Sequence, residues 1–317
     1  MNTNTDAHSP HHETFYFKFY ESELEEFGGK VFIQVHRNDS PDVEDLIAFK
    51  NDYEYSKLID SNGVLKGYEL KTEDNGIQII KEYFEGQPLS RLLKEVTFDT
   101  ESIIQLAISL TRLIDEIHKK GFVIKNLSSH NILISDDRQV LKLSNVSKAT
   151  DIGRAKDDLT IQNGWEEAIS YISPEQTGRI GRSTDYRSDY YALGIVLYEL
   201  LTGRLPFNHG SILELVHGHI AVPPVPPTEI DKKVPKVLSN IVLKLLQKNA
   251  EDRYQGAHGL LQDLHAVQAG ISDLSLLSGM ALGLKDTSKV FNRSEKLYGR
   301  AEKLSVLANA FNRITNG

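Results

Sequence analysis

The chain has 317 residues, 40% of them hydrophobic and 25% charged, enough apolar side chain for the core of one large domain or two smaller ones. A formal net charge of −8 argues against general binding to nucleic acid or an anionic membrane, both of which need a basic surface. The absence of cysteine excludes disulfides and thiol catalysis, and no run approaches the roughly 18 apolar residues of a membrane helix.

The opening residues, MNTNTDAHSPHHETF, are polar and lack the apolar centre of a signal peptide, so residues 1–14 read as a frayed, disordered tail. His11 and His12, like His217 and His219 further on, have no companions at metal-ligand spacing and read as surface or packing histidines. Residues 15–36 alternate aromatic or aliphatic with polar side chains around Gly28-Gly29, the pattern of a short strand meander. Residues 41–60 have a helical pattern, with Glu44 and Asp45 early and Leu46, Phe49, Tyr53 and Leu58 along it. Strands return over 66–84, with a turn at Asp74-Asn75-Gly76. From Asp99 to Lys120 the residues Ile103, Leu106, Leu110, Leu113 and Ile117 form a helical stripe ended by Gly121. Short strands near 131–134 and 140–144 precede an irregular stretch to about 170, and the remainder is mostly helical. Within it, AVPPVPPTEI reads as a loop joining two helices rather than as a ligand for a proline-binding module.

The helical half carries a series of short motifs. Ser173-Pro174-Glu175 is followed by Asp189 and Gly194 in SDYYALG, then by Leu200-Leu201-Thr202-Gly203 and Pro206-Phe207. Lys248-Asn249-Ala250-Glu251-Asp252-Arg253-Tyr254 completes it. Each is weak alone. In this order and spacing, residues 15–270 or so resemble a protein kinase, Ser173-Pro174-Glu175 standing for A-P-E. The resemblance implies an α+β, bilobal protein-kinase fold with a β-rich N-lobe over 15–84, a helical C-lobe over 85–270 and a C-terminal helical extension. It also implies that Asp189 accepts backbone hydrogen bonds from the catalytic loop, and that Glu175 and Arg253 form a buried ion pair.

Set against the same family, the reacting positions are altered. The catalytic loop H-R-D-L-x-x-x-N appears as Ile124-Lys125-Asn126-Leu127-Ser128-Ser129-His130-Asn131. Asn126 replaces the base, and Asn131 survives at the second metal-binding position. D-F-G appears as Asn145-Val146-Ser147, with an amide where a hard cation prefers a carboxylate. The V-A-I-K strand is Val31-Phe32-Ile33-Gln34, so Gln34 replaces the phosphate-pairing lysine, and Phe32 on the same face would fill the adenine slot. The glycine-rich phosphate loop is absent; its region reads YESELEEFGGK, where Glu25 and Glu26 would repel a triphosphate. Asp52, with Glu54 as an alternative alignment, takes the place of the lysine's glutamate partner. Lys81, before the hinge-like Glu82-Tyr83-Phe84, is expected to turn outward, the alternative being an ammonium in the cleft beside Glu25 or Asp52. Ala168 stands where serine/threonine kinases place a threonine.

The end of the chain, from residue 271 to 317, reads as a linker and first helix. Lys296-Leu297-Tyr298-Gly299-Arg300 and the amphipathic Leu304, Leu307, Phe311 and Ile314 look like the entry to an AAA-type ATPase module. YISPEQTGR and DYRSD are similar to the kinase-like front end of hybrid signalling proteins, in which an ATPase module, often a GAF domain, and a sensor histidine kinase follow. The resemblance implies a fragment that stops before that ATPase, working in a two-component signalling context.

The expectation from these residues is a catalytically inactive pseudokinase, a cytoplasmic regulatory module with no metal site and with weak or absent ATP and magnesium binding. Its partners would be its own ATPase and histidine-kinase modules, or another signalling protein, with Arg179, Arg182 and Arg187 as a candidate surface. The alternatives are an unconventional ATP-dependent serine/threonine protein kinase and a kinase-fold domain that senses another ligand.

Overall fold

Alternating side chains turn the first part of the chain into a sheet, and stripes at helical spacing turn most of the rest into a packed helical body. The computed structural model describes residues 9–38, 41–73, 76–152, 166–208, 211–277 and 279–286. The Lys296–Arg300 run and the helix expected after it lie outside these residues.

Strands β1 (His12–Glu13), β2 (Phe17–Leu24) and β3 (Gly29–His36) are followed by helix α1 (Val43–Leu58), then β4 (Gly67–Glu73) and β5 (Gly76–Glu82). The five strands form one antiparallel sheet in the order β1-β2-β3-β5-β4. β1 lies within the stretch expected as a tail. It is a two-residue edge strand, pairing His12 with Phe19 and Glu13 with Lys18. α1 starts at a capping box, in which the Asp42 side chain accepts from Asp45 N–H and the Asp45 side chain accepts from Asp42 N–H. Phe17, Phe19, Phe32, Phe49 and Ile79 build a separate core between α1 and the sheet.

After β6 (Gly86–Pro88) and α2 (Leu89–Glu95) comes α3 (Thr100–Lys119), capped by the Asp99 side chain on Ser102 N–H. Short strands β7 (Phe122–Val123), β8 (Ile132–Ser135), β9 (Leu141–Leu143) and β10 (Thr150–Asp151) carry the loops between them to the sheet-facing side. Helices α4 (Glu166–Ile169), α5 (Arg187–Thr202), α6 (Ile212–Ala221), α7 (Pro227–Ile230), α8 (Lys236–Leu245) and α9 (Ala257–Ala269) complete the body. α5 is apolar nearly all round and is buried along most of its length. At Gly194 an added Cβ would sit 2.8 Å from Leu245 Cβ, so glycine there permits the close approach of α5 and α8. Each aliphatic side chain fully buried in this core contributes about 1.5–3 kcal/mol. A β-sheet lobe followed by a helical lobe is the bilobal arrangement the motifs imply.

Candidate active site

Two loops of the helical lobe, Ile124–Asn131 and Ser144–Ser147, meet α1 and the β3–β5 pair. The first loop is held from below by Asp189, whose Oδ2 accepts from Ile124 N–H at 2.9 Å and whose Oδ1 accepts from Lys125 N–H at 2.8 Å. His118 Nε2 lies 2.8 Å from the same carboxylate. Lys125 takes φ 65 beneath this clamp, and Gln176 Nε2 donates to its carbonyl at 2.9 Å. Below, Arg253 and Glu175 make a two-pronged pair, Nη1–Oε1 at 2.6 Å and Nη2–Oε2 at 2.7 Å. The remaining Arg253 donors reach the carbonyls of Gln247, Arg187 and Lys248, so the buried cation is fully satisfied.

Above the loops, strand register decides the chemistry. β3 pairs with β5 so that Phe32 faces Lys81 and Gln34 faces Ile79. Lys81 thus stands next to β3, and its ammonium lies 2.7 Å from Asp52 Oδ2 on α1, both side chains at 0% exposure. It also donates to the Ser144 carbonyl at 2.8 Å. The outward orientation expected for Lys81 is corrected: its register opposite Phe32 puts it on the same face of the sheet as Phe32 and Gln34, the face that meets Asp52 of α1. Burial draws the Lys81 pKa down, while the charge and hydrogen bond of Asp52 oppose that shift. Asp52 is the hub of the site. Gln34 Nε2 donates to its Oδ2 at 2.9 Å, and Val146 N–H to its Oδ1 at 2.6 Å. Glu54, the alternative alignment, is exposed.

The three asparagines are brought together. Asn126 Nδ2 donates to Asn145 Oδ1 at 2.6 Å, and Asn131 Nδ2 donates to the Asn126 carbonyl at 2.7 Å. Asn131 Oδ1 accepts from Ser128 N–H, and Asn145 Oδ1 also accepts from the Ser147 hydroxyl. Asn126 Oδ1 is buried and has no partner, and the same holds for Gln34 Oε1 beside Asp52, so the site keeps two unsatisfied acceptors. Both oxygens that would hold a divalent cation, on Asn131 and Asn145, are neutral and already occupied by donors. No group of three or more His, Cys, Asp or Glu placed to hold a metal ion exists among the described residues. These side chains do not fit a tightly held magnesium ion.

Glu25 and Glu26 do not face this site. They form the turn between β2 and β3, where Glu26 pairs with Lys71 of β4 at 3.1 Å. The assignment of a phosphate loop to that turn is corrected by one strand: the sheet begins at β1, so the loop between its first two strands is Thr14–Tyr16. Laying G-x-G-x-x-G-x-V along it puts His12, Thr14 and Phe17 at the three glycines and Phe19 at the valine. His12 and Phe19 are therefore site residues that the sequence reading missed, and Tyr83 of the hinge-like segment joins them against Phe32. A strand of only two residues offers no periodicity by which the sequence could have revealed them.

Among the candidate surface residues, Arg182 pairs with Glu251 at 2.6 Å, Arg187 pairs with Asp185 at 2.6 Å, and Arg179 is exposed. No described helix is long and apolar enough to cross a membrane.

The protein kinase domain family matches residues 22–265. A probable serine/threonine-protein kinase of Clostridium acetobutylicum is 32% identical over 232 residues, covering 72% of this chain and 34% of its own length. Serine/threonine-protein kinase PrkC of Bacillus subtilis is 30% identical over 237 residues, covering 74% of this chain and 36% of its own. Hybrid signal transduction histidine kinase G of Dictyostelium discoideum is 28% identical, covering 71% of this chain and 9% of its own length. The chain thus spans only about a third of the bacterial relatives it matches, 34% and 36% for these two. These relatives overturn the expectation of an inactive pseudokinase, because proteins 30% and 32% identical to this chain bear the names of serine/threonine kinases. The inference of inactivity counted the β3 lysine as lost, whereas an ammonium enters the same cleft from β5. With the lobes, the Asp189 clamp, the Glu175–Arg253 pair and the family match in agreement, the chain belongs to the protein kinase domain family.

Proposed function

We propose that this domain is an unconventional ATP-dependent serine/threonine protein kinase whose phosphate-binding lysine is supplied by β5. The observation that carries the reading is the buried Lys81–Asp52 pair at 2.7 Å, formed where β3 offers only Gln34. Phosphoryl transfer passes through a loose transition state, so catalysis rests on positioning and charge neutralisation more than on covalent chemistry. In this site Asp52 holds Lys81 in place against its burial, and Lys81 presents the positive charge to the phosphate oxygens of ATP.

Asn126 cannot take a proton, but its unpartnered Oδ1 can accept the hydrogen bond of a serine or threonine hydroxyl and aim its oxygen. The hydroxyl oxygen bonds to the γ-phosphorus as the bond from that phosphorus to the bridging oxygen of ADP breaks. The hydroxyl proton passes to an oxygen of the transferred phosphoryl group. Losing a general base costs about 10²–10⁴-fold, so the reading is of a slow kinase. No step is assigned to a metal ion, because the asparagine oxygens do not fit one.

The test is transfer of radiolabelled γ-phosphate from ATP to protein. Label on serine or threonine that disappears in Lys81→Met supports the reading. No transfer by the wild-type chain to itself or to a basic protein substrate would overturn it. The similarity to a hybrid histidine kinase, with the Lys296–Arg300 run, supports a further proposal: that the domain is the cytoplasmic front part of a multidomain signalling protein and acts on modules of that protein.

A further inference from the structure

The rings of the first three strands and the hinge-like segment close on one another beneath the sheet. Phe32, the roof residue, is 0% exposed. Its ring centroid lies 5.1 Å from His11, 5.4 Å from His12 and 5.1 Å from Tyr83. His12 lies flat on Phe19, 4.2 Å away with an 11° interplanar angle. A purine stacking on this roof has no free face to reach, so His11 and His12 must move before a nucleotide can enter.

The segment that carries them is the weakest part of the sheet. β1 is a two-residue edge strand, held by its two register pairs, by His11 N–H donating to the Phe19 carbonyl at 2.8 Å, and by part-exposed contacts of His11 with Glu21 at 3.4 Å and of Glu13 with Arg37 at 3.7 Å, which are worth little in water. The turn after it reaches across to the helical lobe. The Phe15 ring lies 4.4 Å from His130 and 6.0 Å from Tyr171, and the Lys148 ammonium sits over the Tyr16 ring at 5.3 Å. Closure carries a cost of its own. His12 Nε2 and His130 Nδ1 are buried in it with no hydrogen-bond partner, and opening would hydrate both. Stacked rings therefore hold shut a segment that two unpaired nitrogens push open, which is the balance of a two-state element.

We propose that residues 11–16 form a self-closing gate over the nucleotide cleft, with the His12 ring seated where the purine must enter and Phe15 latching the gate to the helical lobe. The proposal rests on the kinase reading, since it names the regulation of that same site. Nucleotide and gate compete for one volume, so whatever displaces Phe15 raises the affinity for ATP.

The experiment titrates a fluorescent methylanthraniloyl-ATP into the full chain and into the His12→Ser/Phe15→Ser double variant, with phosphate transfer measured alongside. The gate predicts at least tenfold tighter binding in the variant. Equal affinities with transfer intact would overturn the gate and leave the kinase reading standing. Tighter binding in the variant without any transfer would support the gate and remove the kinase reading. Binding by neither protein would remove both. If the double variant does not fold, hydrogen exchange of the wild-type chain decides: saturating ATP must speed exchange at the His11 and Thr14 amides, and unchanged exchange there overturns the gate.

Discussion

Two buried ion pairs, one in each lobe, show how differently the two halves of this domain treat the same kind of interaction. Arg253 and Glu175 bond through two parallel hydrogen bonds, and every remaining guanidinium donor ends on a backbone carbonyl. Lys81 and Asp52 share a single contact, and Asp52 divides its oxygens among Lys81, Gln34 and the Val146 amide. The first pair is complete and has nothing left to bind with. The second keeps a spherical ammonium, with donors not fixed in direction, beside a cleft that also holds an unpartnered Asn126 oxygen. The comparison teaches that the helical lobe has kept its scaffold, whereas the cleft has rebuilt the same lysine–carboxylate logic from a different strand.

The sharpest way to break that contrast is at the scaffold. Arg253→Met strands the Glu175 charge and should lower unfolding stability by about 3–5 kcal/mol, read as a denaturant midpoint. An unchanged midpoint would mean the pair is ornamental.

Next in size is the pH response of the cleft. Burial, aided by Lys94 and Arg37, holds His130 at a pKa of about 4, against an ordinary value of 6.5. A depressed base favours the neutral folded form, so its contribution is fully present above about pH 6.5 and is lost as pH falls toward 4. Wild type should lose about 2–3 kcal/mol more than His130→Phe across that window, measured by denaturant unfolding at each pH. Parallel curves for the two proteins would contradict the burial of that ring.

Asn126→Ala probes chemistry rather than stability. Removing the acceptor proposed to hold the substrate hydroxyl should slow transfer about 10–30-fold, roughly 1.4–2 kcal/mol, with little change in ATP affinity. A proportional loss of ATP binding would place Asn126 in a structural role. The smallest effect lies at the start of α1, which carries Asp52. Asp42→Ala removes one half of the capping box and should cost about 1 kcal/mol of stability.

Much of the helical lobe was legible because its signals are local. Asp189, Glu175 and Arg253 sit inside short motifs at fixed spacing, and one motif fixes each residue's neighbours. The cleft was legible in part. Gln34, Asp52, Asn126, Asn131 and Asn145 fall in one place, each traced by a motif with a changed residue. Lys81 was misread because its direction depends on pairing between β3 and β5, strands separated by α1 and β4, and no local pattern carries that register. Glu25 and Glu26 were misplaced for a related reason. A strand of only two residues, β1, leaves almost no periodic trace, and missing it shifted the phosphate loop onto the next turn.

The decisive question for this cleft is whether the phosphate-binding lysine has changed strands. Lys81→Met should reduce phosphate transfer by at least about a hundredfold, roughly 2.7 kcal/mol. Restoring a lysine to β3 in the Gln34→Lys/Lys81→Met double variant should recover part of that loss, because both positions face Asp52. Recovery with the lysine on β3 is the predicted result, and transfer by Lys81→Met at the wild-type rate would contradict it.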